Sequence, residues 1–232
     1  MTGAHDDKKI FIIIPVYNEK PVIRKVIEEL IPFGYTILVI DDGSTDDIKS
    51  ELDALARVIY IRHKANLGQG AALQTGIDYA LSCHADFLVS FDADGQHTAA
   101  DIPRILQPLI DNEADVVLAS RFLVKGSHNA SVFRQLVLKA GRRINYLFTG
   151  LYLSDAHNGF RAFNRVGAQS LKISENRMAH ATEIIAQIRK HKLRYKEMAS
   201  TIVYTNYSKA KGQSPIQALK IFFDLVLQKL FK

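Results

Sequence analysis

The sequence predicts an α/β protein: one domain with a mostly parallel central sheet covered by helices on both faces. Three observations predict it. Through the first 120 residues, short apolar runs too continuous for half-buried strands alternate with segments of helical period. Polar and acidic residues gather just after three of those runs, where open α/β sheets bind their ligands. The 232 residues are 47% hydrophobic, with no internal repeat, low-complexity tract or linker, so a single sizeable core is expected.

The elements follow in order. "KKIFIIIPV" (8–16) reads as a buried strand and "PVIRKVIEELI" (21–31) as a helix, with Pro21 suited to its first turn. "YTILVIDD" (35–42) is a second strand, and "STDDIKSELDALA" (44–56) a helix opened by capping residues. "RVIYIR" (57–62), the Ala-rich helix "GQGAALQTGIDYALS" (68–82), the strand "DFLVSFDAD" (86–94), the helix "AADIPRILQPLI" (99–110) and the strand "DVVLAS" (115–120) complete the first half. The second half changes character. "RQLVLKAGRRINYLFTGLYL" (134–153) is a long amphipathic stretch, "NGFRAFNR" (158–165) a turn with a short strand, "ATEIIAQIRKHK" (181–192) a helix and "RYKEMASTIVYT" (194–205) a strand. A basic loop, "NYSKAKGQSP", leads into the amphipathic segment Ile216 to Lys232.

The net charge of +6 points to an anionic partner. Its basic residues lack regular aromatic interleaving, so nucleic acid is not expected. One cysteine, Cys83, cannot form an internal disulfide, and a reducing compartment fits. No uncharged apolar stretch approaches the ~20 residues needed to span a bilayer. The run Ile10 to Ile14 is too short for a signal-peptide core. The expected location is the cytoplasm, peripheral on the cytosolic face of a membrane.

The chemistry concentrates in "FDADGQH" (91–97). Burying one carboxylate is costly and pairing two is worse, unless something positive compensates. In an extended segment, residues two apart share a side, so Asp92 and Asp94 would face the same way, with the neutral oxygen of Gln96 continuing the row. Hard divalent cations prefer oxygen ligands and share them with substrate phosphates. His97 is expected to support this site rather than ligate. A helix-capping loop is the plainer alternative for the same residues. "PVYNE" after the first strand and "DDGSTD" after the second add further polar groups, although Asp41 to Gly43 also suit a capped turn. Gly68 and Gly70 start like a dinucleotide fingerprint that the sequence does not complete; Asn66 and Gly68 are expected to shape a loop near the ligand.

Taken together, "IIIPVYNE", "VIDDGSTD", "NLGQGAALQTGI", "DADGQH", "SRF" and "NGFRAF" resemble a family 2 glycosyltransferase with the Rossmann-like GT-A fold. Within that family the chain looks like the dolichyl-phosphate mannose synthases and bacterial polyprenyl-phosphate glycosyltransferases. The resemblance implies a nucleotide-sugar half (1–120), an acceptor half (121–215) and a C-terminal amphipathic helix (216–232). It implies that Pro15, Tyr17, Glu19 and Ala93 line the nucleotide pocket and that Asp42 meets the base or ribose. Asp92, Asp94 and Gln96 would hold Mg²⁺ or Mn²⁺ against the diphosphate. Arg121 would face the reacting phosphates and Arg134 an acceptor phosphate, while Val203, Lys209 and Lys211 would close over the donor. Three positions depart from the pattern: in "KAKGQSP" Lys stands where those relatives tend to have Arg and Pro215 replaces their final Lys, and Leu138 stands where Ser is expected.

The implied reaction is inverting transfer of a sugar from a nucleotide-sugar donor to a polyprenyl (dolichyl or undecaprenyl) phosphate. Such an acceptor is already ionised and needs no general base. A sugar hydroxyl would need one, and Asp155 and Glu183 are the candidates, although Asp155 equally suits a turn and Glu183 an exposed helix position that orders the site. Extension of a surface polysaccharide is therefore the second reading. A non-catalytic nucleotide-sugar-binding subunit of a membrane complex is the third. The apolar set from Leu219 to Phe231, with lysines beside it, is expected to dock on the membrane surface or on a small integral membrane partner, or else to pack on the chain's own sheet.

Overall fold

The structure is a computed structural model that describes residues 8–55, 57–123, 142–143, 146–147, 149–176 and 179–203. A seven-stranded sheet runs through it: β1 (Ile10–Val16), β2 (Thr36–Asp41), β3 (Val58–Arg62), β4 (Phe87–Ser90), β5 (Val116–Ser120), β6 (Arg161–Asn164) and β7 (Tyr195–Ala199). Their order across the sheet is β3-β2-β1-β4-β6-β5-β7. All neighbouring pairs are parallel except those of β6, which runs antiparallel between β4 and β5. The mostly parallel sheet expected from the continuous apolar runs is what forms.

Residue alternation along β1 shows why. Ile10, Ile12, Ile14 and Val16 enter one core, while Phe11 and Ile13 enter the other, so both faces must be apolar. On the first face lie α1 (Lys20–Leu30) and α4 (Ile102–Ile110). Helix α1 buries Ile23, Val26, Ile27 and Leu30, the stripe that a 3.6-residue period dictates. On the second face lie α3 (Gln69–Ser82) and α6 (His180–Lys190). Helix α3 packs so close that a Cβ at Gly76 would sit 2.3 Å from Ile13 Cγ2.

Several boundaries differ from the sequence reading. Helix α2 is only Ile48–Leu52, because Asp47, not Ser44, caps it by accepting the Ser50 N–H. Strand β4 stops at Ser90, four residues before the expected end. A short helix, α5 (Arg165–Ser170), was not expected; the Asn164 side chain caps it by accepting from Gly167 N at 2.8 Å. Among the described residues no helix is long and apolar enough to cross a membrane. Most of the 134–153 stretch and all of Ile216 to Lys232 lie outside the described residues.

Candidate active site

The carboxyl ends of β1, β2, β4, β5 and β7 and the start of antiparallel β6 share one edge of the sheet. The loops after β1 and β2 are braced together. Asn18 N donates to Ser44 Oγ at 3.0 Å, Thr45 N to Asn18 Oδ1 at 2.8 Å, and Lys20 N to Asp46 Oδ2 at 2.9 Å. Beside this brace, Pro15 is half-buried in β1, Tyr17 is exposed, and Glu19 sits at the start of α1. Asp42 is 3% exposed and faces inward. Its carboxylate accepts from Leu67 N at 2.9 Å and Gly68 N at 2.7 Å, and from His63 Nδ1 at 2.8 Å. In this structure Asp42 therefore pins the Leu67–Gly68 loop to the end of β2.

The acidic motif is a turn, not the extended segment that residue spacing suggested. Gly95 has φ of +71°, and Gln96 N donates back to Asp94 Oδ1 at 3.0 Å. The turn still brings the carboxylates together. Burial, then the charge of Asp92, raises the Asp94 carboxyl above its ordinary range, and Glu19 adds to the effect. Asp92 goes the other way. Burial alone would raise it, but the hydrogen bond and attraction of His97, with the charges of His180 and Arg161, hold it below its ordinary value. His97 Nε2 lies 3.0 Å from Asp92 Oδ2, and Gln69 Nε2 donates to Asp92 Oδ1 at 3.2 Å. The His97 ring is wedged against Phe91 and Phe160, with centroids 5.5 and 5.2 Å away. Ala93 is buried at the turn. Val203 N donates to Gln96 O at 2.8 Å, and Ile202 bridges to His97, so the chain beyond β7 returns to the same turn. Among the described residues no three His, Cys, Asp or Glu side chains form a ready metal cage.

Arg121 follows β5. Its Nε donates to Asp155 Oδ2 at 2.7 Å, and its backbone N–H also reaches that carboxylate. Asn158 Nδ2 approaches Asp155 at 3.4 Å. Next to Asp155, Ser154 is held by Glu197 from β7 and by Ser120 from β5. Arg161, at the start of β6, is a buried cation. Desolvation pushes it down to about 10, while the charges of Asp92 and Asp155 support it. Glu183 on α6 spends its carboxylate on Ser174 N, Ser174 Oγ and Glu175 N. Arg134, Lys209 and Lys211 lie outside the described residues.

Sequence reasoning missed Gln69, His180 and Arg161, and the role of Gly159. A Cβ at Gly159 would fall 2.4 Å from Asp92 Oδ2. Residue type and spacing carry no signal for these contacts, which are long-range: Gln69 and Asp92 lie 23 residues apart.

This sheet order, with one antiparallel strand beside β4 and an acidic turn at the end of β4, is the GT-A architecture of a glycosyltransferase. It overlays on glucosyl-3-phosphoglycerate synthase from Mycobacterium tuberculosis, crystallised with Mn²⁺, UDP and glucosyl-3-phosphoglycerate. The TM-score is 0.67 over 94% of this chain and 76% of that one, at 19% identity. The chain belongs to the family described as "Glycosyl transferase family 2", whose model matches residues 11–171. It is 34% identical to the UDP-N-acetylglucosamine–dolichyl-phosphate N-acetylglucosaminyltransferase of Methanococcus voltae, over 97% of this chain and 98% of that protein. It is 32% identical to the polyprenol monophosphomannose synthase of Mycolicibacterium smegmatis, over 72% and 66%.

Proposed function

We propose that this glycosyltransferase moves a sugar, with inversion, from a nucleotide-sugar donor to a polyprenyl phosphate at the cytosolic face of a membrane. The relatives named above support the acceptor, and the Methanococcus voltae enzyme makes UDP-N-acetylglucosamine the first donor to test. The observation that carries the reading is the state of the two candidate bases. Asp155 is committed to Arg121, and Glu183 to the backbone of Ser174 and Glu175. An acceptor phosphate needs neither, because it is already ionised near neutral pH; a sugar hydroxyl would need one of them. The polysaccharide-extension reading is correspondingly weaker.

The Asp92–Asp94 turn suits a hard divalent cation, Mg²⁺ or Mn²⁺. Two carboxylates beside Glu19 form a site of excess negative charge, and Gln96 adds a neutral oxygen. A hard divalent cation held by so few protein oxygens is commonly shared with substrate phosphates. When bound, the cation supplies charge stabilisation to the departing nucleoside diphosphate. The chain's own residues do the rest. Tyr17, Pro15 and the braced Asn18–Ser44 loops would border the nucleoside, and Asp42 would act by fixing the Leu67–Gly68 loop. Arg121, oriented by Asp155, would meet the reacting phosphates. An acceptor phosphate oxygen forms the new bond to the anomeric carbon as the bond to the diphosphate breaks. The electron pair leaves with the nucleoside diphosphate, and no proton moves.

The test is product mass. Purified protein is incubated with Mg²⁺ or Mn²⁺, a panel of UDP- and GDP-sugars, and undecaprenyl or dolichyl phosphate. A polyprenyl-phosphate sugar is the expected product. Transfer to a neutral glycan with the lipid phosphate ignored would overturn the reading.

A further inference from the structure

Gln69 is the first residue of α3, and its backbone is fixed on both sides. Before it, Gly68 (φ +105°) is tied to Asp42 Oδ2 at 2.7 Å. After it, Gly70 N donates to Asn176 O at 2.9 Å, and a Cβ there would stand 2.1 Å from Glu175 O. From this clamped stretch the side chain reaches across the sheet edge to Asp92, 23 residues away in sequence. The atom facing Asp92 must be Nε2, because an ionised carboxylate only accepts. His97 takes the other oxygen. Gly159, with no side chain, leaves the carboxylate room where a Cβ would come within 2.4 Å of Asp92 Oδ2. Asp92 is thus held at both oxygens, while among the described residues the hydrogen bond to Asp94 comes from the adjacent Gln96 N–H.

We propose that Gln69 is a positioning residue: with His97 it fixes the rotation of the Asp92 carboxylate toward the cation and diphosphate of the donor. The proposal rests on the cation–diphosphate reading of the acidic turn. The choice of side chain follows from the task. A glutamine donates a hydrogen bond without adding charge, so it orients Asp92 and leaves the site's negative charge intact. A lysine at the same place would neutralise the charge that the cation needs. The clamp is also transmitted. Because Asp42 sets Gly68 and Gly68 sets Gln69, the loop beside the nucleoside and the loop beside the diphosphate share one hydrogen-bonded chain.

The test uses the full chain and Mn²⁺ binding, read by electron paramagnetic resonance with UDP and, separately, with GDP present. Gln69→Met keeps the length and removes the donor. Its affinity for Mn²⁺ with the nucleoside diphosphate is expected to fall about tenfold, the effect of losing one hydrogen bond to a charged group. Gln69 is exposed, so its circular dichroism spectrum should match that of the parent protein. In an Asp92→Asn background, titrated to millimolar Mn²⁺, the same change should cost less than about threefold, because residues acting through one another are not additive. Parent-like binding by Gln69→Met would overturn the proposal. So would an equal tenfold loss in the Asp92→Asn background. If the parent protein itself binds no Mn²⁺ with either diphosphate, the cation reading fails first, visibly, before any substitution is made.

Discussion

The two ends of the sheet carry carboxylates in opposite circumstances, Asp115 buried and Asp94 half-buried. At the amino ends of β5 and β7, Asp115 accepts from Arg194 Nη2 at 2.8 Å, Arg194 N at 3.0 Å and Asn164 Nδ2 at 3.0 Å. The Arg194 hydrogen bond leads the effects that bring it down to about 2. At the carboxyl end of β4, Asp94 is raised by burial and by two neighbouring negative charges. The first carboxylate is satisfied by the chain and works as a latch between β5, β6 and β7. The second is under-compensated, and on the proposed reading a bound cation would supply the missing positive charge. Perturbation alone does not mark function; the sign of the perturbation and what remains unpaired do.

The largest expected effect comes from the under-compensated end. Asp94→Asn should reduce transfer by about a hundredfold or more, or roughly 3–4 kcal/mol of transition-state stabilisation. Its unfolding midpoint in urea should match or exceed the parent's, since a like-charge contact is relieved. A fall in stability with activity retained would reverse the roles assigned to the two ends.

Two glycines sharpen the comparison next. A Cβ at Gly159 meets Asp92 Oδ2 at 2.4 Å, and one at Gly167 meets Asp115 O at 2.4 Å. Both Ala substitutions crowd packed atoms and should cost about 1–3 kcal/mol of stability. Only Gly159→Ala should also lower the specific activity of the folded protein, by about tenfold, because it displaces a carboxylate of the site. Steady-state rates normalised to folded protein would separate them, and equal rates would show that Asp92 need not be held.

The latch predicts a smaller, pH-dependent effect. The Asp115 carboxyl is lowered on folding, so its contribution is present above the unfolded carboxylate's titration near pH 4. It is lost as the pH falls through about 2. Arg194 is half-exposed and screened by water, so Asp115→Asn should cost about 1–2 kcal/mol at pH 7, less than the bare shift implies. Denaturant titrations should show that difference shrinking below pH 4, with transfer activity unchanged throughout. A pH-independent difference would mean the ion pair contributes nothing.

The frame was legible in the sequence because both faces of the sheet are covered, and that forces apolar runs such as Ile10 to Ile14 and Ile37 to Ile40. The acidic motif was legible as residue types but not as geometry. Spacing of two suggests a strand, whereas Gly95 in the left-handed region makes a turn. Helix α5 was missed because six residues carry too little periodicity to register. Arg161 and Gln69 were invisible as neighbours of Asp92 for a topological reason. Strand β6 inserts beside β4 out of sequence order, and α3 reaches the β4 end only once the sheet is assembled.

The most direct measurement is a set of thermal unfolding curves for the parent protein, Asp94→Asn and Asp115→Asn, each alone, with Mn²⁺, and with Mn²⁺ plus UDP or GDP. A ligand that binds only the folded state at a hundredfold its dissociation constant stabilises by about 2.7 kcal/mol. The parent should therefore rise clearly in midpoint with Mn²⁺ and one of the two diphosphates. Asp115→Asn should start lower and rise by the same amount, and Asp94→Asn should start no lower and barely rise. A full rise in Asp94→Asn, or no rise in the parent with either diphosphate, would contradict the assignment of the acidic turn as the cation–diphosphate site.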